Sequence, residues 1–213
     1  MSGPFDLVLP LECGGCGAPS VRWCAACDRE LWVSPGHPLV LRPRVDPGVP
    51  VFALGRYCGT RRQAILALKE RGRGDLVGPL ARALAVGVHR LLSWGMAETP
   101  LTVVPAPTRR WAARKRGGDP VARMVSAAVA GHPGIGVAQV LRLRGFVRDS
   151  VGLGTSARQR NLAGAIVLRG DRPRGEVLLV DDVVTTGATA SESVRVLRHG
   201  GVRVTAVLAI AAA

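Results

Sequence analysis

The stretch from Glu176 to Ser193, EVLLVDDVVTTGATASES, constrains the fold more than any other part of this chain. Its four consecutive apolar residues, Val177 to Val180, are too few for a helix core and are bounded by charge. That is the pattern of a strand buried on both faces of a parallel sheet. Two carboxylates, Asp181 and Asp182, are expected to end the strand. A loop of hydroxyls around one glycine follows, Val183-Val184-Thr185-Thr186-Gly187-Ala188-Thr189, and then a helical run through Glu192, Val194, Val196 and Leu197 to Gly200-Gly201.

This order puts the loop at the carboxyl end of a parallel strand, where α/β sheets bind ligands. Free backbone N–H groups and the positive end of the helix dipole attract an anion there, and Gly187 lets the backbone close around a phosphate. Thr185, Thr186 and Thr189 add hydroxyl donors. Asp181 and Asp182 cannot bind the phosphate themselves. They call for another part of the same ligand, either sugar hydroxyls, which donate to carboxylates, or a magnesium ion. A phosphorylated sugar meets both needs, whereas the bland alternative is an ordinary turn with a solvated acidic pair. The acidic strand end of a P-loop ATPase is excluded, because no G-x-x-x-x-G-K-[ST] segment occurs in the chain.

Near the amino end, Cys13-Gly-Gly-Cys16 and Cys24-Ala-Ala-Cys27 form two C-x-x-C pairs. Four thiolates in such pairs can surround one zinc ion tetrahedrally, and Gly14 and Gly15 are expected to permit the tight turn of the first pair. Disulfides are the alternative. No export signal is evident in MSGPFDLVLPLE and Cys58 makes the count odd, so zinc in a cytoplasmic protein is favoured, with Cys58 outside the site.

The 213 residues are 47% hydrophobic, enough for one α/β domain and a small appendage, and no apolar run is expected to span a membrane. Lys and Arg number 29 against 15 acids, a formal charge of +14. Such a balance favours polyanions, nucleic acid above all, although a GC-rich genome also yields arginine-rich surfaces.

Along the chain, the Pro/Gly-rich stretch from Ser34 to Pro50 reads as hairpin turns and a linker. Val51 to Leu54 reads as a strand, Arg61 to Arg71 as a helix ending at Gly72, and the next helix as capped by Asp75 and running toward Trp94. Thr102-Val103-Val104 is a buried strand ending in Pro105-Ala106-Pro107. It is followed by the basic cluster Arg109, Arg110, Arg114, Lys115 and Arg116, which could hold pyrophosphate or be a solvated loop. Asp119-Pro120 caps and starts a further helix. Val140 to Arg144 and Ala165 to Leu168 are strands, joined by a loop with Arg158 and Asn161 that could fold over a ligand. Val202 to Ala211 is the last strand. Alternating strands and helices argue for a doubly wound parallel sheet.

VLLVDDVVTTGAT resembles the phosphoribosyl-pyrophosphate motif of type I phosphoribosyltransferases. Together with the two C-x-x-C pairs, Tyr57 before the helix that carries Lys69, Val104-Pro105-Ala106-Pro107 with its arginines, and Arg158-x-x-Asn161, the chain resembles the ComF family. Its members are phosphoribosyltransferase-like proteins linked to bacterial competence and DNA uptake. Where that family reads R-G-F-N-Q, this chain has Arg116-Gly117-Gly118-Asp119-Pro120.

The resemblance implies a zinc-ribbon-like segment and linker over 1–48 and a phosphoribosyltransferase-like domain over 49–213. It implies that Asp181 and Asp182 are the catalytic-site acids and hold the ribose hydroxyls, with the ligand completed by Val183, Thr185, Thr186, Gly187, Ala188 and Thr189. Pro105, Ala106, Arg109, Arg116 and Arg158 would serve pyrophosphate and the hood, and Cys13, Cys16, Cys24 and Cys27 structural zinc. Phosphoribosyl pyrophosphate with magnesium is the implied ligand, and single-stranded DNA and a DNA-uptake helicase or competence proteins are the implied partners. The rival readings are a phosphoribosyltransferase of nucleotide salvage or biosynthesis, and a nucleic-acid adaptor with a vestigial phosphate loop.

Overall fold

A computed structural model of the chain describes residues 11–34, 36–108, 118–144 and 164–213. Its centre is a six-stranded sheet of β1 (Leu39–Leu41), β2 (Val51–Ala53), β8 (Arg203–Ala212), β7 (Glu176–Val184), β3 (Leu101–Pro105) and β4 (Ile135–Val137), in that spatial order. Every pairing is parallel except β1 with β2. The apolar run Val177–Val180 lies in the middle, wholly buried, with β8 on one side and β3 on the other. Alternation splits it between two cores. Leu178 and Val180 pack with α2 (Gly59–Glu70), α3 (Val77–Ser93) and α4 (Pro120–Val129) on one face. Val177 and Leu179 pack with α5 (Ala188–His199) on the other.

Several expectations need correction. β7 does not stop at the acidic pair: Val183 and Val184 continue it, in register with Ala211 and Ala212 of β8. β5 (Leu141–Leu143) and β6 (Ile166–Leu168) do not join the parallel sheet. They pair antiparallel with each other and pack Leu141 and Ile166 onto the core beneath α5. Asp75 does not cap α3, whose N-cap is Leu76. Its carboxylate is taken instead by the Arg73 guanidinium, at 2.7 and 2.9 Å, in the 3-10 turn Gly74–Leu76. The expectation that no apolar run spans a membrane is not among them: Gly74–Ser93 meets the length and composition of a span, but as a helix of the core. Half of it is buried inside the protein, and α3 packs against α4 and β8.

Asp119 caps α4 as expected, with Oδ1 accepting from Val121 N at 2.9 Å and Ala122 N at 3.2 Å, ahead of Pro120 at the first helical position. Around the cysteines, the short helix α1 (Ala25–Leu31) begins at Cys24, whose sulfur accepts from Cys27 N at 3.4 Å. The Arg90 guanidinium of α3 gathers the carbonyls of Val33, Ser34 and His37 and so ties the following segment to the large core.

Candidate ligand site at the carboxyl edge of the sheet

Asp181 and Asp182 stand near the carboxyl end of β7, on opposite sides of the strand. Asp182 is 6% exposed, and the Lys69 ammonium, reaching from the last turn of α2, lies 2.7 Å from its Oδ2. Burying a carboxylate costs several kcal/mol unless it is paired, so this ion pair is what makes the position tolerable. Asp181 is held differently. Its Oδ1 accepts from the backbone N–H of Asp182 at 2.8 Å. Burial pushes its carboxyl up to about 7, the charge of Asp182 pushes the same way, and Lys69 only partly opposes them. The pair is therefore two unlike acceptors, one fixed by an ammonium and one close to neutrality.

Beyond β7 the loop is three residues long. Thr185 is exposed, Thr186 and Thr189 are half-buried, and the Thr186 hydroxyl accepts from Ala188 N at 3.4 Å. Gly187 has φ of +85°, in the left-handed region that side chains avoid, and it begins α5. The amino end of α5 thus opens beside the acidic pair without a side-chain cap. Val183 packs toward the helical core and Val184 is buried, so the backbone, not these side chains, faces any ligand.

A segment read as a linker also belongs to this loop. Val45 N donates to Thr186 O at 2.9 Å, Ser191 Oγ donates to Asp46 O at 3.3 Å, and Arg198 donates to Gly48 O at 3.0 Å. Pro105 closes β3 opposite Val180. Ala106, 2% exposed, donates its N–H to Val180 O at 2.7 Å, so the end of β3 lies beside the acids. Arg109, Arg116 and Arg158 lie outside the described residues, as do Arg110, Arg114, Lys115 and Asn161.

Lys69 was not singled out as a site residue. The signal was there: Lys69 is four residues after Ile65, which is 1% exposed, so a charged group sits on the buried stripe of α2. A cavity of about 280 Å³ between α3 and α4 does not compete as a sugar-phosphate site. Its lining, which includes His89, Leu92, Val129 and His132, offers no carboxylate or hydroxyl side chain.

The four cysteines converge as their spacing predicts. The sulfurs of Cys13, Cys16, Cys24 and Cys27 all lie within 4.8 Å of one another, with Cys16 and Cys24 at 3.6 Å. Four ligands at a Zn–S distance of ~2.3 Å place sulfurs roughly 3.8 Å apart, so the cluster has room for zinc. Electrostatics agree. Burial pushes the Cys13 thiol up, but backbone N–H groups of Cys16, Gly15 and Cys24 outweigh it and bring it down to about 6. Burial drives Cys27 up to about 12; the Thr60 hydroxyl opposes this, and the other three sulfurs reinforce it. One thiolate forms readily and a second is resisted, a conflict that a divalent cation removes. Gly14 and Gly15 serve space more than turning. A Cβ at Gly14 would lie 2.6 Å from Leu76, and one at Gly15 2.6 Å from the Cys27 sulfur.

No family model matches the chain. Among curated proteins, the orotate phosphoribosyltransferase of Aeropyrum pernix is 34% identical over 149 residues, which cover 63% of this chain and 69% of that protein. Among solved structures, a hypoxanthine phosphoribosyltransferase from Staphylococcus aureus aligns with 64% of this chain and 62% of its own, at 12% identity and a TM-score of 0.36. The Aeropyrum pernix orotate phosphoribosyltransferase structure aligns over 70% and 62%, at 24% identity and 0.34. Leishmania donovani UMP synthase aligns over 71% and 24%, at 15% and 0.34. The chain spans less than two thirds of each of these solved chains.

Proposed function

The chain belongs to the phosphoribosyltransferase family, and from that premise we propose that it binds phosphoribosyl pyrophosphate at the carboxyl edge of β7 and transfers the phosphoribosyl group. The observation that carries this reading is the juxtaposition of Asp181 and Asp182 with the glycine-started amino end of α5. The backbone N–H groups of Thr186 to Thr189 receive the 5-phosphate, helped by the threonine hydroxyls. The carboxylates accept hydrogen bonds from the ribose hydroxyls and so fix the sugar ring.

At ribose C1, the bond to pyrophosphate breaks as the bond to an anionic acceptor forms, and pyrophosphate leaves with the electron pair. The carboxylates hold the sugar and do not attack it. Pro105 and Ala106 bring the end of β3 to the side where pyrophosphate departs, with Arg109, Arg116 and Arg158 proposed as its cationic partners. Magnesium supplies neutralisation of pyrophosphate charge when bound. Asp182 already faces an ammonium at 2.7 Å, so the ligand's own phosphate oxygens are the better donors for that ion. Zinc would be held by Cys13, Cys16, Cys24 and Cys27 as a structural ion with no open position.

The acceptor is of the nucleobase class if this chain follows its Aeropyrum relative, whose name specifies orotate. The four-cysteine cluster favours a second reading, a ComF-type cytoplasmic protein that also handles imported single-stranded DNA and meets competence proteins. A formal charge of +14 supports it. Calorimetry with phosphoribosyl pyrophosphate and magnesium tests the first reading: binding should be lost in Asp181→Ala/Asp182→Ala, and equal affinity in both proteins sinks it. Fluorescence anisotropy with a single-stranded oligonucleotide tests the second, which requires binding that weakens steeply as salt rises.

A further inference from the structure

We propose that Lys69 is a positioning residue for the sugar-binding carboxylate Asp182, and that the four-cysteine module sets it in place by gripping both ends of α2. The inference rests on the phosphoribosyl-pyrophosphate reading of the site. α2 starts beyond the carboxyl end of β2, yet its last turn brings Lys69 to Asp182 near the carboxyl end of β7. With β8 between those two strands, α2 passes from the carboxyl end of β2 toward that of β7 on the face where Leu178 and Val180 pack.

The cysteine module holds this helix at its start. Thr60 donates its N–H to Glu30 Oε1 at 3.0 Å and its hydroxyl to Glu30 Oε2 at 2.7 Å, with the Cys27 sulfur 3.4 Å from that hydroxyl. Arg61 donates to Leu31 O at 3.2 Å. The same module holds the turn just past the helix. Arg73 donates to Glu12 O at 3.0 Å and to Arg22 O at 3.2 Å, and Gly14 lies flush against Leu76.

Lys69 sits between these two grips. A lysine stem has four rotatable carbons and gives little positional control by itself. Control comes from fixing the helix that carries it, and the module fixes that helix on both sides. With the ammonium 2.7 Å from its Oδ2, the Asp182 carboxylate stays aimed. Without it, the buried carboxylate loses its counter-charge and turns away, and a hydroxyl acceptor is lost. The loop at Gly187 is held instead by Val45 N on Thr186 O and should be indifferent.

Calorimetry on the full zinc-loaded chain, with phosphoribosyl pyrophosphate plus magnesium and separately with inorganic phosphate, tests this. Lys69→Met should weaken phosphoribosyl pyrophosphate roughly 10- to 100-fold and leave phosphate unchanged, and Lys69→Arg should recover most of the loss. Arg73→Met, which leaves the ion pair's own groups intact, should weaken phosphoribosyl pyrophosphate by about 3- to 10-fold, and by nothing further when Lys69 is already Met. If Lys69→Met does not fold, the Arg73→Met comparison decides.

Equal losses for both ligands, or additive effects of the two substitutions, overturn the inference by making the roles merely structural. Unchanged affinity in Lys69→Met overturns it while the functional reading stands. A wild-type chain that binds no phosphoribosyl pyrophosphate overturns that reading, and this inference with it.

Discussion

Gly187 lies against the backbone carbonyl of Val45 so closely that a Cβ at Gly187 would stand 2.4 Å from that oxygen and 2.7 Å from Pro43. The loop between β7 and α5 is therefore shaped from outside by a segment far away in sequence. Left-handed backbone and crowding together exclude every side chain. Gly187→Ala is expected to cost at least ~1–2 kcal/mol from backbone conformation alone, with crowding added. Gly187→Asn eases the conformational part but not the contact, so it should be destabilised comparably. Urea unfolding of the two variants checks this, and a well-tolerated asparagine would show that conformation alone matters.

Zinc is expected at one ion per chain. Elemental analysis should find it in the wild type and lose it in Cys24→Ser, while Cys58→Ser keeps it, since Cys58 lies outside the converging group. Chelation should lower Tm by roughly 10 °C, because the thiolates lose the cation that relieves their repulsion. Unchanged zinc content in Cys24→Ser would remove these cysteines from the ligand set.

The acidic pair predicts a pH slope in stability. Asp181 is raised from 3.8 to about 7 in the folded chain, so between those values the native state holds a proton that the unfolded state has released. Stability from this group is present at low pH and falls as pH rises through that window. Asp181→Asn should flatten the slope, read as urea midpoints at pH 5 and pH 7.5. A slope equal to wild type would place the proton elsewhere.

Glu192 is 7% exposed and accepts Gly164 N at 2.8 Å while pairing with Arg195 at 2.7 Å. The Arg195 hydrogen bond holds its carboxyl below the usual range. Glu192→Ala should cost about 0.5–1.5 kcal/mol by removing the hydrogen bond to the exposed Gly164 N–H. Its contribution is present above the ordinary glutamate range and lost as pH falls. Chemical denaturation of wild type and variant at pH 7 measures it, and a difference under half a kcal/mol would contradict it.

The unit from Val177 to Leu197 was legible because a run of buried apolar residues, an acidic pair and a glycine loop are all local signals. The continuation of β7 was not, because the stop was read from charge. What decides it is the alanine-rich end of β8, which lies against Val183 and Val184 with no bulk to separate the strands. β5 showed its alternation, Val140 to Arg144, but alternation names no partner, and its partner β6 lies beyond residues 145–163. β1 and β4 have three residues each, none fully buried, and their own sequences left no periodic trace. The cysteine site could be read from spacing alone. The grip of that module on α2 could not, since Thr60, Arg61 and Arg73 act through distant backbone and side chains.

The place of β8 between β2 and β7 has a consequence for how the chain acquires its shape. Val51 pairs with Val207, across most of the sequence, and β7 is completed on that side by the same late strand. Until β8 is synthesised, β2 and β7 have no bridge and the middle of the sheet is an open slot lined by valine and leucine. Closing so long a loop before any contact repays it slows folding and leaves apolar edges exposed in the meantime. The two halves of the carboxyl edge, at β2 and at β7, are thus joined only when β8 inserts between them, whatever order the other contacts form in.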